Sequence, residues 1–543
     1  MNTHHALGGV PHSGLFTPLT SFIFFVAAAL VVCLVVSMNN DTVSDFYIAN
    51  GKMSPVWNAL ALCGDYLSAS SLITFLGAVA LTGFDGMAMA VSAILGLGIL
   101  FLLAEPLRNT GRFTLGDVLG NRIGGDAARI AGAVITLAVC LPLTVVQLAG
   151  SGVATAYLIG LDSSATAQVC TALTGTLMIM FAAFGGMRGT SVIQITKAVL
   201  VFFAVLLVAA VVLHRFDWDF GAMMDTAERN ALQPDGFYIP GQLYGHTTTG
   251  SFELFSAHLT VAFGAAVTPH LIMRVSASRD GRSARRAARY AVMASTVFFA
   301  AVVAVGLGAA AVVGGQAIVG DDPRGNTALF MLSGSLAGGP TTTLGGIVFT
   351  VVACAVFVTA LAVVAGLTLA AAAALAHDIY AQVIRRGRIK EENEVSAVRW
   401  AVVAVGVLSV LLAIGLHNWS FLFLTLFAAS LAASTILPAL VYSLFWKGFT
   451  RTGLLWTIYG SLVCCVVLQV SGPTVSGDPL ALFPGRDFHW FPLQNAGLIT
   501  IPFGFVLGWA GSRLGRHAPV DRIREGEAEA RLLAGVGSDT GTR

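Results

Sequence analysis

The residues Ala61–Ser71, with the sequence ALCGDYLSASS, place one carboxylate and three serines inside an apolar segment long enough to cross a membrane. A charged aspartate at the centre of a membrane helix costs about 2.5–3.5 kcal/mol on insertion scales, so Asp65 predicts a functional site by default. Gly64 weakens the helix, and the serines can hydrogen-bond backbone groups that a break would free. The stretch therefore predicts a broken helix whose carbonyls can bind a cation. The structural alternative is that Asp65 only caps the second half-helix.

A second interruption lies in residues 261–274, VAFGAAVTPHLIMR. Gly264 weakens this helix, and Pro269 removes a backbone donor. Two interrupted spans at matching positions of two five-helix units are typical of inverted-repeat transporters with a binding site near the membrane midplane. His270 and Arg274 follow the proline toward the predicted cytoplasmic side, where they can gate the site or anchor the topology.

The composition identifies an integral membrane protein. Of the 543 residues, 56% are hydrophobic and only 11% are charged, whereas soluble domains carry about 25% charged residues. The net charge of +2 gives no indication of nucleic-acid binding. The seven cysteines form neither a CxxC pair nor a Cys/His cluster, so the sequence predicts no cysteine-based metal centre, and no cofactor is expected.

The hydropathy pattern predicts about thirteen transmembrane helices, because each crossing needs about 20 apolar residues. The predicted spans are 16–38, 54–81, 86–104, 130–160, 164–184, 190–213, 253–274, 288–314, 342–376, 398–416, 419–446, 453–472 and 490–512. With residues 1–15 outside, 25 of the 30 basic residues fall on the inside, and the polar tail 513–543 is cytoplasmic. We therefore expect one transporter domain, 16–512, in a bacterial plasma membrane.

The elements that would position a site are two repeats, about 54–213 and 253–446, each of which begins with a broken helix. Thr144, Gln147 and Ser151 lie on one face of the fourth span, where they either line the cavity or bond a neighbouring helix. Lys197, three residues after Gln194, is expected to snorkel to the cytoplasmic surface. On this interpretation no arginine lies at the midplane.

Several motifs resemble those of the sodium:solute symporter family, and most closely its cation/acetate symporter branch. The stretch SDFYIANGKMSPVWNALALCGDYLSASSLITFLGAVALTGFDG is similar to the first conserved block of that family, and FGGMRGTSVIQITKAVL to the segment after the fifth span. The segments TPHLIMR, LAVVAGLTLAAAAALAHDIYA, FAASLAASTILPALVYSLFWKGFTRTG and LFPGRDFHWFP match later blocks. The resemblance extends from about residue 44 to 512.

The resemblance implies an all-α fold with a LeuT-like core of five plus five helices in spans 2–11. It also implies import of a small solute together with a cation, Na+ or H+, by alternating access. The branch implies a short-chain monocarboxylate such as acetate, propionate or pyruvate as the solute. The same fold leaves proline, sugar or urea-like solutes open. A membrane sensor is a further alternative, although only about 30 residues follow the last span.

For the cation, the resemblance implies backbone carbonyls of Cys63 and Tyr66, with Asp65 nearby. The family also uses two adjacent hydroxyl residues in the ninth span, but the matching positions here are Ala362 and Val363. Neither has a side-chain oxygen, although hard cations prefer oxygen ligands. A proton carried by Asp65, or a sodium site rebuilt with Thr359, would both fit.

For the solute, the carboxylate is expected to meet backbone N–H groups of the half-helix after the first break. The predicted substrate-binding residues lie at the two breaks and on the fourth span: Ser68, Ala69, Ser70, Ser71, Thr144, Gln147, Ala265 and Pro269. No converging His, Glu and Asp groups appear at one membrane face, so the sequence does not favour an enzyme. The expected partners are the monocarboxylate, the coupling cation and the lipid bilayer, without nucleic acid.

Overall fold

The computed structural model describes residues 42–515, together with six isolated positions between 20 and 31. Within 42–515 the gaps are Lys52, Ser70, 159–163, 340–341, 417–419, 478–480 and Pro484. The predicted first span, the segment 1–15 and the tail beyond Gly515 therefore lie outside the described residues, apart from those isolated positions. The described part is helical, and its β structure consists of two isolated bridges.

Eighteen helices of more than one short turn follow one another in the described part. They are α1 Val43–Ile48, α2 Pro55–Tyr66, α3 Ser71–Thr82, α4 Phe84–Thr110, α5 Leu115–Ile123, α6 Asp126–Leu158, α7 Ser164–Arg215, α8 Phe220–Arg229, α9 Thr248–Ala266, α10 Pro269–Ser276, α11 Gly281–Val312, α12 Gly315–Asp321, α13 Ala328–Ser335, α14 Thr343–Ile384, α15 Glu391–Gly415, α16 Phe421–Phe445, α17 Arg451–Val470 and α18 Gly497–Leu514.

Ten helical stretches of the described residues are long and apolar enough to cross a membrane, or eleven if the bent pair α2–α3 is one span. The stretch α7 consists of two helices that meet at a kink, and together they have 52 residues, more than twice what one crossing needs. Its backbone leaves helical geometry at Gly186, with φ 52° and ψ −164°. The predicted spans 164–184 and 190–213 lie on the two sides of this glycine. The predicted total of thirteen spans is not confirmed, because the first span falls outside the described residues.

The first break lies where the sequence predicts it. Helix α2 begins at Pro55 with Ser54 as its N-cap, and it ends at Tyr66 because Leu67 adopts an extended conformation. The axes of α2 and α3 differ by 65°. A side chain at position 64 would overlap the backbone carbonyl of Gln194, so Gly64 allows α2 to pack directly against α7.

The second break separates α9 from α10 at Val267 and Thr268. Pro269 occupies the first turn of α10, where its missing N–H needs no partner in the helix. Helices α9, α10 and α14 are the most enclosed, and α14 packs mainly against α6 and α7. Helices α15, α17 and α18 instead expose large apolar side chains, such as those of Trp400, Val463 and Trp509. Helix α10 packs against α2, so the two breaks lie next to one another inside the bundle.

Candidate functional site

A cavity of about 100 Å³ lies between the two broken helices. Asp65, Ser68 and Ser71 line it from the first break, and Thr268 and His270 from the second. Aromatic and aliphatic side chains of α3, α6, α9, α11 and α14 form most of the remaining wall. The cavity is smaller than the roughly 300–1,000 Å³ of pockets for drug-sized ligands, so it suits a small solute.

Asp65 forms a buried ion pair across the two breaks. Its Oδ2 lies 2.5 Å from Nε of Arg274, and the two side chains are 2% and 1% exposed. Gln194 donates a hydrogen bond to the other carboxylate oxygen. The guanidinium also donates to Ser191 Oγ at 2.5 Å. The ion pair thus joins α2 to α10. Gln194 and Ser191 of α7 each form a hydrogen bond with one member of the pair.

Lys197 is fully buried and lies directly against the first break. Its Nζ donates to the carbonyl oxygen of Gly64 at 2.5 Å and also to that of Leu67. A longer bond of 3.3 Å reaches Oε1 of Gln194. The last carbonyls of a helix have no partner within that helix. The ammonium therefore satisfies the carbonyls that the end of α2 leaves open.

These contacts correct two expectations from the sequence. Lys197 does not snorkel to the surface, and Arg274 is buried in an ion pair with Asp65 rather than exposed as a cytoplasmic anchor. The mid-span position of Lys197 was a usable signal, because the default for any intramembrane ionisable residue is a functional site. Arg274 carried no such signal, since its pairing with Asp65 depends on how α10 folds back against α2.

The midplane cluster, defined as Asp65, Gln194, Lys197 and Arg274, contains two cationic groups and one carboxylate. A buried charge without a partner is costly. With its three groups ionised, the cluster carries one formal positive charge in excess. Asp65 is its member at the wall of the cavity, and Lys197 and Arg274 lie behind the wall.

The expected anion site on backbone amides looks different in the structure. The N–H of Ala69 donates to Oε1 of Gln147 at 2.8 Å. The N–H groups of Ser68 and Ser71 bond each other's hydroxyl oxygens, and Leu72 donates to the carbonyl of Ser68. Four amides at this break thus have protein partners, and Ser70 lies outside the described residues. A carboxylate would have to displace these bonds or use side chains.

Two side chains of the second break offer such contacts. Thr268 Oγ1 and His270 Nδ1 are buried polar atoms that line the cavity without a hydrogen-bond partner among the described residues. Buried polar groups in folded proteins are nearly always hydrogen-bonded. These two atoms therefore indicate a polar ligand. Gln147 also lines the cavity, and its amide nitrogen carries two N–H donors.

The other predicted substrate residues divide between the cavity wall and the packing around it. Ala265 lines the cavity, and Pro269 starts the half-helix that carries His270. Thr144 is buried but bonds the carbonyl of Cys140 in its own helix and does not line the cavity. Ser151 bonds Thr174 of α7, which is the interhelical alternative.

The predicted cation residues surround the midplane cluster. Cys63 Sγ lies 3.4 Å from Ser295 Oγ, and the Tyr66 hydroxyl donates to the carbonyl of Ala93. On α14, the carbonyl of Ala362 accepts a bond from Gln194 at 2.8 Å, and Val363 lines the cavity. The Thr359 hydroxyl donates to Ala355 at 2.5 Å within its own helix. The ion-binding role of these residues stays a prediction.

A second buried group of charges lies where α5, α6, α14 and α15 meet. We call Asp117, Arg129, His377, Asp378 and Glu394 the outer cluster. His377 faces Asp117 at 3.4 Å and Glu394 at 2.7 Å, one carboxylate at each ring nitrogen. Arg129 lies 2.7 Å from Asp117 and 3.5 Å from Asp378.

Asp117, His377 and Asp378 also bring three ligand-type atoms within 4.8 Å of one another, which is a spacing that could hold a metal ion. However, Arg129 and the His377 ring already pair with these carboxylates. Burial alone would raise the pKa of the Asp117 carboxyl, but His377 and Arg129 hold this pKa well below its usual range. The arrangement is therefore that of a protein-supplied ion network.

Comparisons with known proteins agree with this architecture. The profile of the Sodium:solute symporter family matches residues 46–460. The chain is 34% identical over 530 residues to a protein of Corynebacterium glutamicum named Monocarboxylic acid transporter, and the match covers 96% of this chain and 95% of that protein. It is 36% identical over 524 residues to the Uncharacterized symporter YwcA of Bacillus subtilis, with 95% and 99% covered.

Among solved structures, the chain resembles a substrate-bound, outward-open Na+-coupled sialic acid symporter with a TM-score of 0.72. The match covers 92% of this chain and 98% of the other at 15% identity, so it concerns the fold alone. It confirms the predicted all-α membrane fold with a LeuT-like core. From the matched profile and the two full-length relatives, we conclude that this multi-span membrane protein belongs to the sodium:solute symporter family.

Proposed function

We propose that this symporter imports a short-chain monocarboxylate, such as acetate, propionate or pyruvate, together with a cation across the bacterial plasma membrane. Transport proceeds by alternating access around the cavity between the two breaks. Residues 1–15 lie outside and the tail is cytoplasmic.

The excess positive charge of the midplane cluster is the observation that carries this proposal. Lys197 and Arg274 together outweigh Asp65, and all three side chains are almost completely buried. A monocarboxylate in the adjacent cavity supplies the one negative charge that neutralises the cluster. A neutral sugar, urea or zwitterionic proline would leave this charge uncompensated.

The rest of the cavity suits the remainder of such a molecule. The hydroxyl of Thr268, the ring of His270 and the amide of Gln147 can each donate a hydrogen bond to carboxylate oxygens. The aromatic rings of Phe75 and Phe299 lie on the wall as well and can cover a short alkyl group. The name of the Corynebacterium glutamicum relative supports the same solute class.

Solute counterflow in proteoliposomes tests this function. Vesicles loaded with unlabelled acetate should take up labelled acetate, and external propionate or pyruvate should compete. Proline, glucose and urea should not. Protein-free vesicles give the passive entry of acetic acid, which is subtracted. Competition by proline or a sugar at concentrations where propionate has no effect would contradict the proposed solute class.

A further inference from the structure

The Lys197 ammonium occupies a cation site that the protein itself builds. It has three N–H donors and three oxygen acceptors, namely the carbonyls of Gly64 and Leu67 and the side chain of Gln194. Carbonyls exposed by a helix break in the membrane are the groups that coordinate a coupling ion in broken-helix transporters. Here the Lys197 ammonium, a cation that is part of the chain, donates hydrogen bonds to two such carbonyls.

The opposite wall offers little to a free sodium ion. Ala362 and Val363 have no side-chain oxygen, and the Ala362 carbonyl is bonded to Gln194. The hydroxyls of Thr359 and Thr368 donate to carbonyls one turn earlier in α14, and neither residue lines the cavity. A hard cation needs several oxygen ligands, and most oxygens near the first break already have protein donors.

The proton on Lys197 controls both the helix contact and the local charge. A neutral amine keeps two N–H donors and gains a lone pair, so it cannot satisfy all three acceptors. Loss of the proton also removes the excess positive charge that favours an anion in the cavity. Anion binding and proton binding therefore stabilise each other, since linkage between two sites is reciprocal.

We propose that Lys197 is the coupling-ion site of this transporter, a tethered cation in place of free Na+, which takes up one proton from outside and releases it inside with each monocarboxylate. The inference rests on the proposed function. The step forms one N–H bond at Nζ on the outside and breaks it on the inside. One proton and one monocarboxylate together carry no net charge, so a pH gradient rather than the membrane potential drives uptake.

Other titratable or charged groups face this amine. Asp65 and Cys63 face it from α2, and His270 faces it from α10, where Arg274 pairs with Asp65. Asp65 forms an ion pair with Arg274 and accepts a hydrogen bond from Gln194, so its negative charge already has partners within the cluster. Lys197 has no carboxylate of its own, so an anion in the cavity would add the negative charge that its ammonium lacks.

The first experiment uses the wild-type protein in proteoliposomes without Na+, with the membrane potential clamped at zero and the outside about one pH unit more acidic. Labelled pyruvate should accumulate up to about tenfold, since one pH unit corresponds to a tenfold ratio. Addition of a Na+ gradient should change the accumulation ratio of pyruvate by less than about twofold. Uptake that requires the Na+ gradient overturns the inference alone, while no uptake of pyruvate or acetate under any ion condition also overturns the proposed function.

The second experiment uses Lys197→Arg and Lys197→Met, with the exposed Lys390→Met as the control. Arginine keeps its charge at every accessible pH, so Lys197→Arg should retain acetate counterflow and lose accumulation driven by the pH gradient. Lys197→Met should weaken acetate binding at least about tenfold. Accumulation by Lys197→Arg with the wild-type pH profile would overturn the inference. If neither variant folds, the experiment with wild-type protein and a Na+ gradient still tests the inference.

Discussion

The midplane cluster and the outer cluster are both buried groups of charges, but they differ in sign and surroundings. The midplane cluster has two cationic groups and one carboxylate, and it borders the cavity between the breaks. The outer cluster has three carboxylates, one arginine and His377 with a carboxylate at each ring nitrogen. One Asp378 oxygen lacks a hydrogen-bond partner in the described residues.

This difference shows that burial of charge does not by itself identify a binding site. The outer cluster joins four helices, and its cationic groups, Arg129 and His377, pair with carboxylates of the same cluster. The midplane cluster has its excess positive charge behind Asp65, which lines a cavity of suitable size. We therefore expect changes in the midplane cluster to affect transport and stability together, and changes in the outer cluster to affect mainly stability.

The largest effect is expected for Asp65→Asn, which leaves Arg274 and Lys197 buried without a carboxylate. Removal of one partner from a buried ion pair costs about 3–5 kcal/mol. We expect a loss of that size in the free energy of unfolding in detergent and loss of acetate uptake. The double variant Asp65→Asn/Arg274→Gln should recover part of the stability, because it removes the orphaned charge. Additive losses in the double variant would contradict a direct pairing.

A smaller effect is expected for Asp117→Asn in the outer cluster. The pKa of the native Asp117 carboxyl is depressed, so its stabilising contribution is complete above the unfolded value of about 3.9 and is lost as the pH falls below it. The variant should lose about 1–3 kcal/mol at pH 7 and show a flatter decline in melting temperature toward acid pH. Its KM for acetate should stay within about twofold of wild type. A rise in KM as large as that expected for the cavity variant Thr268→Val would contradict the proposed difference in function between the two clusters.

Thr268→Val tests the unpaired hydroxyl at the cavity with little change in volume. Loss of a hydrogen bond to a charged group costs about 1.5–3 kcal/mol, so the KM for acetate should rise at least about tenfold. Thr144→Val is the matched control, since Thr144 is also buried but bonds within its own helix and does not line the cavity. Equal effects of the two variants on KM would remove Thr268 from the proposed site.

The smallest effect is expected for Gly116→Ala, which adds a methyl group against the carboxylate of Asp378. Overpacking of this kind costs about 1–3 kcal/mol, and the better helix propensity of alanine offsets up to about 1 kcal/mol. Gly98→Ala is the control, because nothing lies within 4 Å of the added carbon there. A melting temperature of Gly116→Ala at or above that of Gly98→Ala would show that the outer cluster is loosely packed.

Much of the framework could be predicted from local sequence. Gly64, Asp65 and the serines identified the first break, and Gly264 and Pro269 identified the second. These predictions succeeded because helix propensity, proline chemistry and hydropathy act over a few residues. The predicted separation of 164–184 from 190–213 agrees with the structure, in which two helices meet at a kink at Gly186.

The side-chain contacts within the site were harder to predict. Gln147 was expected to touch the solute, and in the structure its side-chain oxygen accepts a hydrogen bond from the Ala69 amide. Arg274 was counted among cytoplasmic basic residues, because the positive-inside rule considers only position along the chain. Its partner Asp65 is 209 residues away, and no spacing rule connects them.

The sequence by itself determined that the chain spans a membrane many times, where two of its helices break, and that a carboxylate lies at the first break. Each of these follows from the cost of placing polar groups or helix breakers in lipid. Only the tertiary structure decided which charges meet there. The pairing of Asp65 with Arg274, and the seating of the Lys197 ammonium on the carbonyls of Gly64 and Leu67, depend on three distant helices packing together, because a buried charge takes the partner that folding brings within reach.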